Sequence, residues 1–218
     1  MHIVYSLEEP PESFSKSIFL AGPTPRSPEV SSWRPQALEL LERKKYDGVV
    51  YVPENRPGSK ETVIPDNGYP EWEHSMMDKS DLVLFWAERD MTLSPEFVAK
   101  LRSTKPEEIP SLKAELKMPA FTTNIEYGLM VHSGKSLFGP ILGDKNVYLG
   151  FVADKFHIPQ FYTLEGMLNK AVFETVEDDT LRTGGEREVP LNIWRMLAFQ
   201  NWYQAQKNAG NRLDGLKV

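Results

Sequence analysis

Ser80-Asp81-Leu82-Val83-Leu84-Phe85-Trp86 is an unbroken apolar run headed by a carboxylate, and its reading decides the fold. A strand wetted on one face alternates apolar and polar residues. A run that is apolar at every position is buried on both faces, as the central strands of a parallel sheet are. Further on, Phe121-Thr122-Thr123-Asn124-Ile125-Glu126-Tyr127-Gly128 reads as the start of a helix with a second carboxylate in its first turn. The expectation is that Asp81 and Glu126 meet at one end of the sheet. Two carboxylates at one pocket suit chemistry at a sugar carbon.

Working outward, Ser17-Ile18-Phe19-Leu20-Ala21 is another buried strand, ended by the rigid loop Gly22-Pro23-Thr24-Pro25, which can approach a ligand closely. Ser31-Ser32 caps a helix that has Pro35 early in it and Ala37, Leu38 and Leu41 on its apolar side. A strand at Gly48 to Pro53, a polar loop to about Gly68 and a helix from Pro70 to Lys79 lead to the run at Asp81. Residues 91–118 are charged, proline-broken and partly helical in period, and read as an insertion. The helix of Thr123 to His132 stops at Ser133-Gly134-Lys135. A strand at Ser136 to Gly139, a helix over Asn146 to His157, a strand at Gln160 to Thr163 and a helix over Leu164 to Thr175 follow. Such alternation predicts an α/β, flavodoxin- or Rossmann-like parallel sheet of about five strands with helices on both faces. The expected division is one domain over residues 1–176 and a linker with a helical tail over 177–218. In that tail Ile193, Trp194, Leu197, Ala198, Trp202 and Tyr203 make an amphipathic helix, which packs on its own domain or on a partner.

With 218 residues, 40% hydrophobic and 26% charged, the chain has the composition of a globular protein with a generous core. Its apolar runs fall short of the roughly 20 residues that a membrane span needs, and Met1-His2-Ile3-Val4-Tyr5 is unlike a signal peptide. The expected location is therefore the cytoplasm. The absence of cysteine removes disulfides, thiol nucleophiles and zinc-thiolate sites. A net charge of -6 without clustered Lys and Arg argues against binding nucleic-acid polymers and leaves a small molecule as the partner. His2, His74, His132 and His157 lack metal-ligand spacing, so no metal is expected.

Thr123-x-x-Glu126 matches a capping box, in which the hydroxyl takes one helix amide and the Glu reaches back to the cap. Placed after a strand of a parallel sheet, the same helix start also faces the ligand crevice. Trp86, Arg89 and Asp90, beyond the same strand, are candidates to line that crevice. Glu71-Trp72-Glu73 reads as a solvated first helical turn around a buried Trp. No phosphate-binding P-loop, three-glycine dinucleotide fingerprint, nucleophile elbow or kinase signature occurs.

An ordered set of motifs resembles one family. Ile18-Phe19-Leu20-Ala21-Gly22-Pro23, Trp33-Arg34-Pro35-Gln36-Ala37, Tyr51-Val52-Pro53-Glu54, Trp72-Glu73, Asp81 to Trp86, Thr122 to Gly128 and Ser133-Gly134-Lys135 follow the order seen in the nucleoside 2-deoxyribosyltransferase-like family. The resemblance implies a flavodoxin-like fold, attack on the anomeric carbon by Glu126, and base binding with assisted protonation by Asp81. It implies substrate-binding roles for Phe19, Ala21, Gly22, Pro23, Trp33, Trp86, Arg89, Thr123 and Asn124. It also implies a nucleoside or nucleotide and a free base as partners, no cofactor, and a homo-oligomer. Three departures stand out: Phe19 occupies the place of a tyrosine that steadies the nucleophile, Ala120 the place of a second aspartate for which Thr123 or Asn124 substitutes, and residues 91–118 have no short counterpart. Beside a transferase, two readings stay open. One is a hydrolase of nucleoside 5'-monophosphates, with Arg26, Arg34 or Arg89 on the phosphate; the other is a nucleotide-sensing module without turnover.

Overall fold

The computed structural model describes residues 1–59, 68–109, 112, 115–141, 146–177 and 216–217. The elements run β1 (His2–Tyr5), β2 (Ser17–Ala21), α1 (Arg34–Arg43), β3 (Val49–Val52), α2 (Gly68–Lys79), β4 (Leu82–Trp86), β5 (Asp90–Leu93) and α3 (Pro95–Ser103). They continue with β6 (Leu116–Met118), α4 (Phe121–Met130), β7 (Ser136–Gly139), α5 (Val147–Lys155), β8 (Gln160–Phe161), α6 (Leu164–Glu177) and β9 (Leu216–Lys217). The main sheet has the order β1-β3-β2-β4-β7-β8-β9. Six strands are parallel, and only the two-residue β9 runs antiparallel, against β8. The expected α/β architecture holds.

The apolar runs divide between two layers because successive strand residues point to opposite faces. Ile18, Leu20, Val50, Val52, Leu82, Leu84 and Trp86 meet α1 and α6 on one side. Phe19, Ala21, Val49, Tyr51, Val83 and Phe85 meet α2, α4 and α5 on the other. Every residue of β2 and β4 is buried, as the middle of a helix-covered sheet requires. The sheet is wider than the expected five strands because β1 and the two-residue β9 were not anticipated. As an edge strand β1 is half-wetted, and His2 and Ile3 carry no buried run to read.

Residues 91–118 contain α3 where the helical period falls, with Ser94 Oγ accepting from Phe97 N at 3.1 Å as its cap. The antiparallel pair β5–β6 that frames it escaped the sequence reading because both strands are short and mostly wetted. The capping box is a correction. Helix α4 begins at Phe121, its cap position is Ala120 at φ 60°, and no side chain caps it. Pro119 holds the residue before it extended, and the chain turns through Ala120 directly into the helix. Thr123 is thus a third helical residue, and Glu126 lies in the second turn. The expected tail helix of residues 191–208 lies outside the described residues. Among the described residues no helix is long and apolar enough to cross a membrane.

Candidate active site

Between β2 and β4 the chain changes the direction in which it lays down strands, and at such a switch point a crevice opens beyond the carboxyl ends of the strands. Here it is a cleft of about 220 Å³, lined by Phe19 and Gly22 to Arg26 from the end of β2, Pro53 from β3, Glu73 from α2, and Pro119 to Thr122 with Glu126 from the start of α4. A larger, shallow groove of about 570 Å³ runs along the outer side of α2, past Pro70, Glu71, His74, Ser75, Asp78 and Lys79. The smaller cleft is the chemical one, because it alone of the two holds partly buried carboxylates.

Glu73 was read as a wetted helical residue, and the structure corrects this. Met76 and Met77 are the buried residues of α2, and Glu73 precedes them by three and four positions, on the same helical stripe. Trp72 anchors the turn: Nε1 donates to the Glu8 carbonyl at 2.9 Å, and the ring packs 6.3 Å from Phe19 and 6.5 Å from Tyr51. Opposite, Tyr127 and Met130 fix α4 against the sheet and turn Glu126 into the cleft.

The two carboxyls are hydrogen-bonded to each other. Burial, then the charge of Glu126, pushes the Glu73 carboxyl up to about 7, opposed by the charge of Arg34. Burial also raises Glu126, opposed by the charge of Arg34 and by the bond from Glu73. Two like charges this close do not both ionise, so the pair shares one proton.

Arg34, the first residue of α1, is fully buried beneath the loop that follows β2. Its Nε donates to the Leu20 carbonyl at 3.0 Å and its Nη2 to the Gly22 carbonyl at 2.6 Å. Nη1 donates to Glu54 Oε1 at 2.6 Å, Thr24 Oγ1 at 3.2 Å and the Pro23 carbonyl at 3.4 Å. Gly22, at φ 150°, is required here, since a Cβ would stand 2.5 Å from the Trp86 carbonyl.

Of the expected site residues, Phe19, Gly22, Pro23 and Glu126 line the cleft. Asp81 does not. It lies at the opposite, amino end of β4, where its Oδ2 accepts from Ser17 N at 2.8 Å and Ser17 Oγ at 3.2 Å, tying the starts of β2 and β4 together. Trp33 and Trp86 are buried in the α1–α6 layer, and Ala21 lies under α2 and α4 without reaching the cleft. Arg89 Nη2 donates to Asn124 Oδ1 at 2.9 Å, outside the lining, so those two meet each other. Thr123 is buried, and its hydroxyl has no hydrogen-bond partner among the described residues; Thr122 beside it lines the cleft instead. Of the three candidate arginines, Arg34 is fully engaged, and only Arg26 lines the cleft with an exposed side chain. Among the described residues no group of three or more His, Asp or Glu is placed to hold a metal ion.

The fold is thus a parallel α/β sheet whose switch-point cleft carries two carboxyls, Glu73 and Glu126. Residues 15–140, more than half of the chain, match the family model described as nucleoside 2-deoxyribosyltransferase like, and the chain belongs to that family. No curated protein matches it.

Proposed function

We propose that this protein cleaves the N-glycosidic bond of a nucleoside through a covalent glycosyl ester on Glu126, and transfers the sugar to a second base. The observation that carries the reading is the pair of partly buried carboxyls, Glu73 and Glu126, facing one another in a single cleft. Cleavage passes through an oxocarbenium-like state. Glu126, as the anion, stabilises that charge, and its oxygen bonds to C1' as the C1'–N bond breaks. The proton on Glu73 goes to the departing base. In the second half, an acceptor base attacks C1', the ester bond breaks, and the acceptor's proton returns to Glu73. Water in place of the acceptor gives hydrolysis. The acid role thereby passes from Asp81, at the far end of β4, to Glu73.

Incubation with the four 2'-deoxynucleosides, with and without a free base, tests the reading. A new nucleoside is the expected product, and free sugar alone marks a hydrolase. Glu126→Gln is expected to fold and lose at least about a thousandfold in turnover, since an amide does not form the ester. Full activity in that folded variant would end the assignment. Arg26 at the cleft favours one second reading, in which the substrate carries a 5'-phosphate; the same panel run with 5'-monophosphates decides it.

A further inference from the structure

The loop over the cleft is held from beneath by one buried guanidinium, and the arrangement does more than fill space. Arg34 spends its donors on the carbonyls of Leu20, Gly22 and Pro23, on Thr24 Oγ1 and on Glu54 Oε1. Glu54 is itself oriented, accepting from Ser32 Oγ at 2.7 Å, while Ser32 Oγ accepts from the Arg34 amide at 3.2 Å. The three carbonyls are thereby turned towards Arg34. Facing the cleft instead, they would set three negative dipole ends beside an ionised Glu126. Arg34 also lies within electrostatic reach of Glu54, Glu73 and Glu126. With one proton on the Glu73–Glu126 pair, that pair, Glu54 and Arg34 together carry a net charge of -1.

Resting on the glycosyl-transfer reading above, we propose that Arg34 is a positioning residue. Its fork holds the end of β2 and the loop to Thr24 with their carbonyls away from the cleft, and its charge favours an ionised carboxylate in the Glu73–Glu126 pair. Three elements meet there: Arg34 comes from α1, Glu73 from α2 and Glu126 from α4, with Glu54 behind Arg34 at the end of β3 and Arg26 along the cleft.

The test separates fork from charge. Arg34→Lys keeps the charge and loses the fork; the expected result is a fall in kcat of about tenfold, because small misplacements at a reacting centre are costly, with KM and the acid limb of the pH profile unchanged. Arg34→Gln combined with Glu54→Gln removes both charges without stranding either. There the Glu126 titration, followed by ¹³C NMR of glutamate-labelled protein and assigned with Glu126→Gln, is expected to move up by about one pH unit. A folded Arg34→Lys variant with wild-type kcat, or an unmoved Glu126 titration in the double variant, would overturn the proposal. Glu54→Gln alone guards against misfolding, since its amide oxygen still accepts from Arg34 and Ser32. Its expected loss is about threefold in kcat, and no loss counts against the proposal. A wild type that cleaves no nucleoside ends the glycosyl-transfer reading alone; the NMR titration needs no substrate and still decides the role of Arg34.

Discussion

Glu73 shares the cleft with Glu126 and its carboxyl is raised by burial, and replacing it gives a prediction with two readouts. Glu73→Gln keeps the hydrogen bond to Glu126 but has no acid proton, so nucleosides with poor leaving bases are expected to slow by about a hundredfold or more while activated bases react nearly as before. Equal losses for both would count against the acid role. The second readout is stability. The Glu73 carboxyl is raised from 4.5 to about 7, and Glu126 is raised as well. Between those pH values the native protein binds more protons than the unfolded chain, so stability is expected to fall as pH rises across that window. Glu73→Gln is expected to flatten the slope, measured as Tm against pH. Asp81→Asn should behave in the opposite manner. It disturbs the two bonds from Ser17 and is expected to cost about 1–3 kcal/mol of stability with kcat unchanged. A folded Asp81→Asn variant with wild-type Tm and reduced turnover would restore the sequence expectation.

At the scale of elements, β2 and β4 were legible because burial on both faces leaves an unbroken apolar run, and α4 because its stop at Ser133-Gly134 is sharp. The pairing of Asp81 with Glu126 was a misreading of direction. In a parallel sheet the start of a strand and the start of the helix beyond it lie at opposite edges, and five strand residues put roughly 17 Å between them. Glu73 was missed because an acid near a helix start complements the helix dipole and so has an ordinary explanation; its spacing to Met76 and Met77 was the available signal. The second strand of the insertion, β6, adjoins the cleft through its bond to the loop that lines it. The Arg26 amide donates to the Lys117 carbonyl at 2.7 Å, Lys117 Nζ lies 3.5 Å from Glu29, and Pro119 and Ala120 line the cleft. Replacing residues 95–114 by a short Gly-Ser bridge, with β6 spared, is therefore expected to leave KM within about threefold, whereas extending the deletion through Lys117 raises it tenfold or more. Equal KM values for the two deletions would show that β6 does not shape the cleft.

At the scale of the whole molecule, the helices α4 and α5 carry a set of exposed apolar side chains among the described residues. Phe121, Ile125 and Leu129 recur every four residues along α4, Val147, Tyr148 and Phe151 follow on α5, and all six are between 55% and 74% exposed. A patch of this kind fits self-association, and because Phe121 also lines the cleft, a neighbouring copy on this face would border the site. Ile125→Glu is expected to convert an oligomer to a monomer in sedimentation velocity runs at micromolar concentration and to raise KM. A wild type that is monomeric and fully active would remove the shared surface. The ten residues of α4 thus answer to three masters: Thr123, Tyr127 and Met130 to the sheet, Phe121, Thr122 and Glu126 to the cleft, and Ile125 and Leu129 to the outer patch. Few positions on this helix are left free to drift, so across related chains it should be the slowest segment to diverge, and α3, with Phe97 as its one buried residue, among the fastest.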